Sequence, residues 1–185
     1  MIAVIVLVVA VLCALVGVPI RTRLAGDEQR SDADVRRFDL VLAVALGGLV
    51  AGAAIAAAVA APLSHAWLVA GQVIAVAAAA ATGGYVVRSV LAFGGIPTRR
   101  ENFDDPAPDP PLRGGRIIGL MERAAVTVSL LLGWPAGIAV ILGIKGLARF
   151  PQLREHHASE QFILGTFASV LWACALGGIG VLLGR

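Results

Sequence analysis

Charge and polarity are scarce in this 185-residue sequence: Asp, Glu, Lys and Arg make up 15%, aromatic residues 5%, and hydrophobic residues 58%, for a mean hydropathy of +0.87. The remaining polar residues are too few to cover a soluble domain of this size, which excludes an ordinary soluble fold and points to a membrane protein. Lysine occurs once, at Lys145, against fourteen arginines. With spans rich in Ala and Gly, that bias looks like a GC-rich bacterial coding habit. The basic residues fall in short loops beside apolar segments, where the positive-inside rule accounts for them and no nucleic-acid partner is implied. Cysteine is confined to Cys13 and Cys174, both in apolar stretches and without CxxC spacing, which argues against a structural disulfide or a thiolate metal site. GxSxG, HExxH, P-loop and Rossmann motifs are all missing, so no catalytic constellation, cofactor or metal is read from the sequence.

What is present is a series of apolar runs separated by charged connectors. Residues 2–20 form a run of bilayer length closed by Arg21 and Arg23. A signal peptide is the rival reading, but no basic segment precedes the run and no small-x-small site follows it. The basic flank after the run predicts an external N-terminus. Between Arg21 and Arg37 five arginines mix with Asp27, Glu28, Asp32 and Asp34. This is a cytoplasmic connector, self-neutralising or offered to a partner or anionic headgroups.

The second span, about residues 40–61, is built from Ala and Gly, with Gly48 and Gly52 four apart. Small residues at that interval let two helix backbones approach closely. A turn over residues 62–66, with His65 exposed and Trp67 at an interface, leads into a third span, about residues 67–87. Arg88 closes that span, and Phe93-Gly94-Gly95-Ile96-Pro97 ends the helix. Residues 98–115 carry acidic residues and Pro106, Pro108, Pro110 and Pro111, an extended linker between a three-span half (1–97) and a second half (116–185).

In that second half Glu122, Arg123 and Lys145 interrupt apolar sequence. Two foldings compete. A single span over residues 117–144 would be about 42 Å long, more than a hydrocarbon core of about 30 Å, and would carry Gly133 and Pro135 in its middle. A helical hairpin turning at Gly133-Trp134-Pro135 places Glu122 twelve residues before Trp134 and Lys145 eleven after it. Equal offsets mean equal depth, so antiparallel arms bring an acid and a base together, the condition under which charge is tolerated in lipid. Basic-residue counting favours the hairpin: six spans leave thirteen Arg or Lys on the cytoplasmic side and Arg185 outside, whereas five divide them eleven to three.

Further on, residues 150–160 are polar. His156 and Glu160 share a spacing of four without further ligands nearby, and Ser159 is placed to N-cap the last helix. The last span, about residues 162–183, sets Gly165, Ser169, Ala173 and Gly177 at intervals of four, a stripe for packing within the subunit or for a seam between copies. The fold class expected is therefore all-α, a polytopic helical membrane protein of about six transmembrane or membrane-inserted helices.

The residues GRIIG (115–119), Glu122-Arg123, Lys145, Arg149-Phe150, Glu160, Gly165-Thr166 and Ser169 resemble the closing membrane segment of a family of uncharacterised bacterial integral-membrane proteins. There a GRIIGxxER helix, a K-S-x-x-R-F end and an E-Y-x-x-x-G-T-x-x-S helix recur in that order. Here Gly146 replaces the family's Ser and Gln161 its Tyr, and the family's N-terminal His and Gly-Asp signature is not visible. The resemblance implies a structural unit and a bacterial inner-membrane address, not a reaction.

Three functions are compatible with these features. The first is a non-catalytic membrane component that packs with itself or with another membrane protein. A small transporter or channel with a polar path along Glu122, Arg123 and Lys145 is the second; its three-plus-three spans would be inverted relative to each other. The third is an enzyme acting on lipid or isoprenoid through Glu155, His156, His157 and Glu160. The lipid bilayer is the common partner of all three.

Overall fold

The computed structural model describes residues 1–27, 31–96, 115–150 and 156–185, with backbone alone for residues 156–158. The described residues form six α-helices and no strand: α1 (Ile2–Gly26), α2 (Asp32–Val59), α3 (His65–Phe93), α4 (Gly115–Leu131), α5 (Ala136–Arg149) and α6 (His156–Leu182). Four of them, α1, α2, α3 and α6, are long and apolar enough to cross a membrane. With 17 and 14 residues, α4 and α5 fall short of the roughly 20 that a crossing needs.

Helix ends follow local chemistry. Ser31 caps α2 through a reciprocal box: its hydroxyl accepts from the Asp34 amide, and the Asp34 carboxylate accepts from the Ser31 amide. That box starts α2 eight residues before the apolar run, and α1 continues through Arg21 and Arg23 to Gly26. Much of the connector expected over 21–37 is therefore helix. The helix α6 likewise begins at His156, so Ser159 lies inside it and is not its N-cap.

Two glycines stop helices by adopting a left-handed backbone. Gly95, at φ +71°, ends α3 with bonds from Gly95 N to Ala92 O and from Ile96 N to Leu91 O. Gly133, at φ +68°, ends α4 the same way, with Gly133 N bonded to Leu130 O and Trp134 N to Ser129 O. This is the Schellman arrangement, in which a residue with positive φ satisfies the last orphan carbonyls. Pro135 then begins the next arm, where its missing amide costs nothing. The segment 117–144 is consequently a hairpin and not one helix.

The central helix, α3, packs against α1, α2, α4 and α6. It can take four neighbours because its inward side chains are small: Ala75, Ala78 and Ala79 are fully buried, and around them lie Leu7 of α1, Val50 and Ala53 of α2, Val126 of α4, and Leu176 and Ile179 of α6. A Cβ at Gly71 would meet Leu183 at 2.7 Å and Val4 at 3.2 Å, and the Leu63 amide donates to Leu183 O. The first turn of α1, the α2–α3 turn and the end of α6 therefore meet at one end of the bundle. The opposite end gathers the close of α1 and α3, the start of α2, α4 and α6, and the end of α5.

The stripe on α6 is turned inward. Ser169, Ala173 and Gly177 are buried; Gly165 faces Val87 and Leu91 of α3, and Gly177 faces Leu130 of α4. The stripe serves packing inside the chain. Gly48 and Gly52 point the other way: both are exposed, and a Cβ at either would meet nothing within 4 Å. Cys13 is exposed as well, and neither cysteine is bonded. The linker at 98–114 and the side chains of Glu155, His156 and His157 lie outside the described residues.

Candidate functional site

Consecutive residues of a helix diverge by about 100°, so Glu122 and Arg123 serve different neighbours. Glu122 faces the other hairpin arm, where Lys145 Nζ donates to Glu122 Oε2 at 2.5 Å. Both side chains are largely buried, 17% and 20% exposed, and the pair ties the two arms of the hairpin together. Lys145 also stands 5.9 Å from the centroid of the Phe162 ring on α6.

Arg123 turns towards α3. Its Nε donates to Ala79 O at 3.0 Å and its Nη2 to Ala80 O at 2.8 Å. A carbonyl oxygen has two lone pairs, so each can accept a guanidinium donor besides a helical amide. The approach requires Gly83, where a Cβ would collide with Arg123 Cδ and lie 2.7 Å from its Nε. Around this contact, Trp172 Nε1 donates to Thr82 Oγ1 at 2.7 Å, Thr82 Oγ1 donates to Ala78 O at 2.6 Å, and Thr127 Oγ1 bonds to Arg123 O at 2.9 Å and Ala173 O at 3.2 Å. The hydroxyl network joins α3, α4 and α6 through the backbone.

A second ionic cluster, absent from the sequence reading, is centred on Asp39, which is 4% exposed. Arg21 of α1 donates through Nε to both carboxylate oxygens at 3.0 Å, and Arg88 of α3 donates through Nε at 3.0 Å and Nη2 at 3.2 Å. Two guanidinium groups thus clamp one carboxylate, joining three helices at one level. The Arg88 guanidinium lies 4.7 Å from the centre of the Tyr85 ring, and the Tyr85 hydroxyl donates to Ala14 O at 3.0 Å. The signal for this cluster was in the sequence. Arg21 follows span one, Arg88 closes span three, and Asp39 precedes span two, so alternating spans bring all three to the same end.

Between the hairpin and the α3–α6 pair lies a cleft of about 770 Å³. Its hairpin wall is formed by α4 and by α5, which packs chiefly on α4. Among the described residues five basic side chains line it, Arg88, Arg116, Arg123, Lys145 and Arg149, against one carboxylate, Glu122. Apolar residues from all four helices supply the rest of the wall. Glu122, Arg123 and Lys145 therefore belong to one cavity although they bond to different helices, whereas Gly48 and Gly52 lie on the far helix α2. Among the described residues no group of three His, Cys, Asp or Glu side chains is placed to hold a metal ion. Comparison with known proteins finds no matching family, no similar curated protein and no similar solved structure.

Proposed function

We propose that this chain is a non-catalytic component of a bacterial inner membrane, with its N-terminus outside, that assembles with a second copy or with another membrane protein. The observation that carries this reading is how the ionisable groups within the bundle are used. Asp39 is held by Arg21 and Arg88, Glu122 by Lys145, and Arg123 by the carbonyls of Ala79 and Ala80. Each stands in a structural bond between helices, and a general acid or base would have to break one to act. The exterior supports a bilayer setting. Ile5, Leu15, Val41, Ile55, Phe167 and Leu171 are all more than half exposed, an apolar surface that water would not tolerate.

For assembly, the support is the outward face of α2. There a Cβ at Gly48 or Gly52 would meet nothing among the described residues, and small residues allow a second helix to approach. In a variant with Cys13 and Cys174 replaced by Ser, Gly48→Cys in native membranes is expected to yield a cross-linked species of higher mass with a short thiol-reactive cross-linker. Gly178→Cys, at an exposed glycine of α6, is expected to give far less. Monomer alone at both positions would contradict assembly through α2.

One specific observation favours the second reading, a small transporter or channel: Glu122, Arg123 and Lys145 share the wall of a single cleft. Flux assays in liposomes test it: equal transport by the wild type and Glu122→Gln would count against a pathway that depends on Glu122.

A further inference from the structure

We propose that the cleft between the α4–α5 hairpin and the α3–α6 pair is a binding site for a lipid with an anionic phosphate headgroup. The inference rests on the bilayer setting proposed above, but not on assembly through α2.

Charge is the first argument. Of the cations on the wall, Arg88 is shared with Asp39, Lys145 is paired with Glu122, and Arg123 is held by carbonyls. Arg116 and Arg149 line the same cavity and have no ion-pair or hydrogen-bond partner among the described residues. They stand at the start of α4 and the end of α5, so the antiparallel hairpin sets both at its open end. Two guanidinium groups without a partner among the described residues, in a cavity where the described cations outnumber the described carboxylates, are complementary to phosphate oxygens.

Shape is the second. The cavity follows α4 from Gly115 to Ala125, eleven residues or about 15 Å of helix. Beyond these two arginines the wall is largely apolar, with Val87, Leu91, Ile118, Ile144 and Phe162, and its charged groups, Glu122, Lys145, Arg123 and Arg88, are already bonded within the bundle. A basic mouth above a wall that is mostly apolar and whose charges are already bonded fits an amphiphile, whereas a free anion would occupy only the mouth. Its volume lies within the range of sites that hold small organic ligands.

The third argument is a hydroxyl without a partner. Thr166 Oγ1 is the buried side-chain oxygen among the described residues that makes no hydrogen bond, and Thr166 lines this cavity. A buried hydroxyl normally finds a partner, and a polar atom of a bound molecule would supply one.

The test uses the full chain in nanodiscs of phosphatidylcholine with a minor share of phosphatidylglycerol, counting retained lipids by native mass spectrometry. Wild type is expected to hold phosphatidylglycerol over phosphatidylcholine, and the double variant Arg116→Gln with Arg149→Gln to lose roughly thirtyfold of that preference. Arg116→Lys with Arg149→Lys, which keeps both charges, is expected to keep most of it. Equal retention of the two lipids by wild type, or a preference unchanged in the Gln variant, would overturn the site. Displacement of the lipid by millimolar inorganic phosphate would overturn the lipid assignment in favour of a free anion. Alkaline extraction of the same variants from cell membranes separates this proposal from the bilayer reading. A chain recovered in the soluble fraction removes the setting, whereas an integral chain without lipid preference removes only the site.

Discussion

Gly83 and Arg123 form a lock between α3 and α4, because the guanidinium reaches the α3 carbonyls only where no Cβ stands in its way. Gly83→Ala is expected to cost about 1–3 kcal/mol through overpacking, read as a lowered midpoint of thermal unfolding in detergent. Gly178→Ala, where a Cβ meets nothing, is expected to leave that midpoint nearly unchanged or to raise it slightly. Asp39 invites a parallel experiment. Asp39→Ala leaves Arg21 and Arg88 facing each other without their shared counter-ion, and a loss of about 3 kcal/mol is expected. Arg88→Gln is expected to cost much less in the Asp39→Ala background than alone, because the bond it removes is already gone; full additivity would refute the clamp.

These residues also show what local sequence reveals and what it hides. Glu122 and Lys145 were legible as a pair because their offsets from one turn are equal, a relation within a single hairpin. Asp39 was passed over although span order puts it level with Arg21 and Arg88, because those partners sit 18 residues before it and 49 after it and no local spacing links them. Arg123 was visible as a charge within apolar sequence, but its acceptors are backbone carbonyls, which no side-chain pattern marks.

The helices themselves follow apolar runs in their middles and capping chemistry at their ends. Composition located the four long helices, but α2 begins at Asp32 because of the Ser31 box, and α3 and α4 stop where Gly95 and Gly133 take positive φ. Small-residue spacing showed which faces permit close approach, not which neighbour uses them: the α6 stripe is covered by α3 and α4, while the Gly48 face of α2 is open. The α4–α5 hairpin is the element most exposed to a charge test. Glu122→Lys sets two ammonium groups against each other and is expected to destabilise the chain by about 1–3 kcal/mol, and adding Lys145→Glu is expected to restore most of that loss. Thermal unfolding of the single and double variants checks it, and failure of the swap to rescue would show that the two side chains do not act as a pair.

Across the bundle, polarity is distributed unevenly in a way that gives the molecule a direction. Near the end formed by Val4, Gly71 and Leu183 the described arginine is Arg185, while Arg21, Asp39, Arg88, Arg116 and Arg149 gather towards the other. If α1, α2, α3 and α6 cross a bilayer and the hairpin enters and leaves on one side, both termini emerge together, on the face away from the basic end. A single span over residues 117–144 would have placed them apart. Reporters fused in turn to the N-terminus and to Arg185 in intact cells measure this arrangement. Both are expected on the outer side of the membrane; a C-terminal reporter inside the cell with an N-terminal one outside would contradict the account.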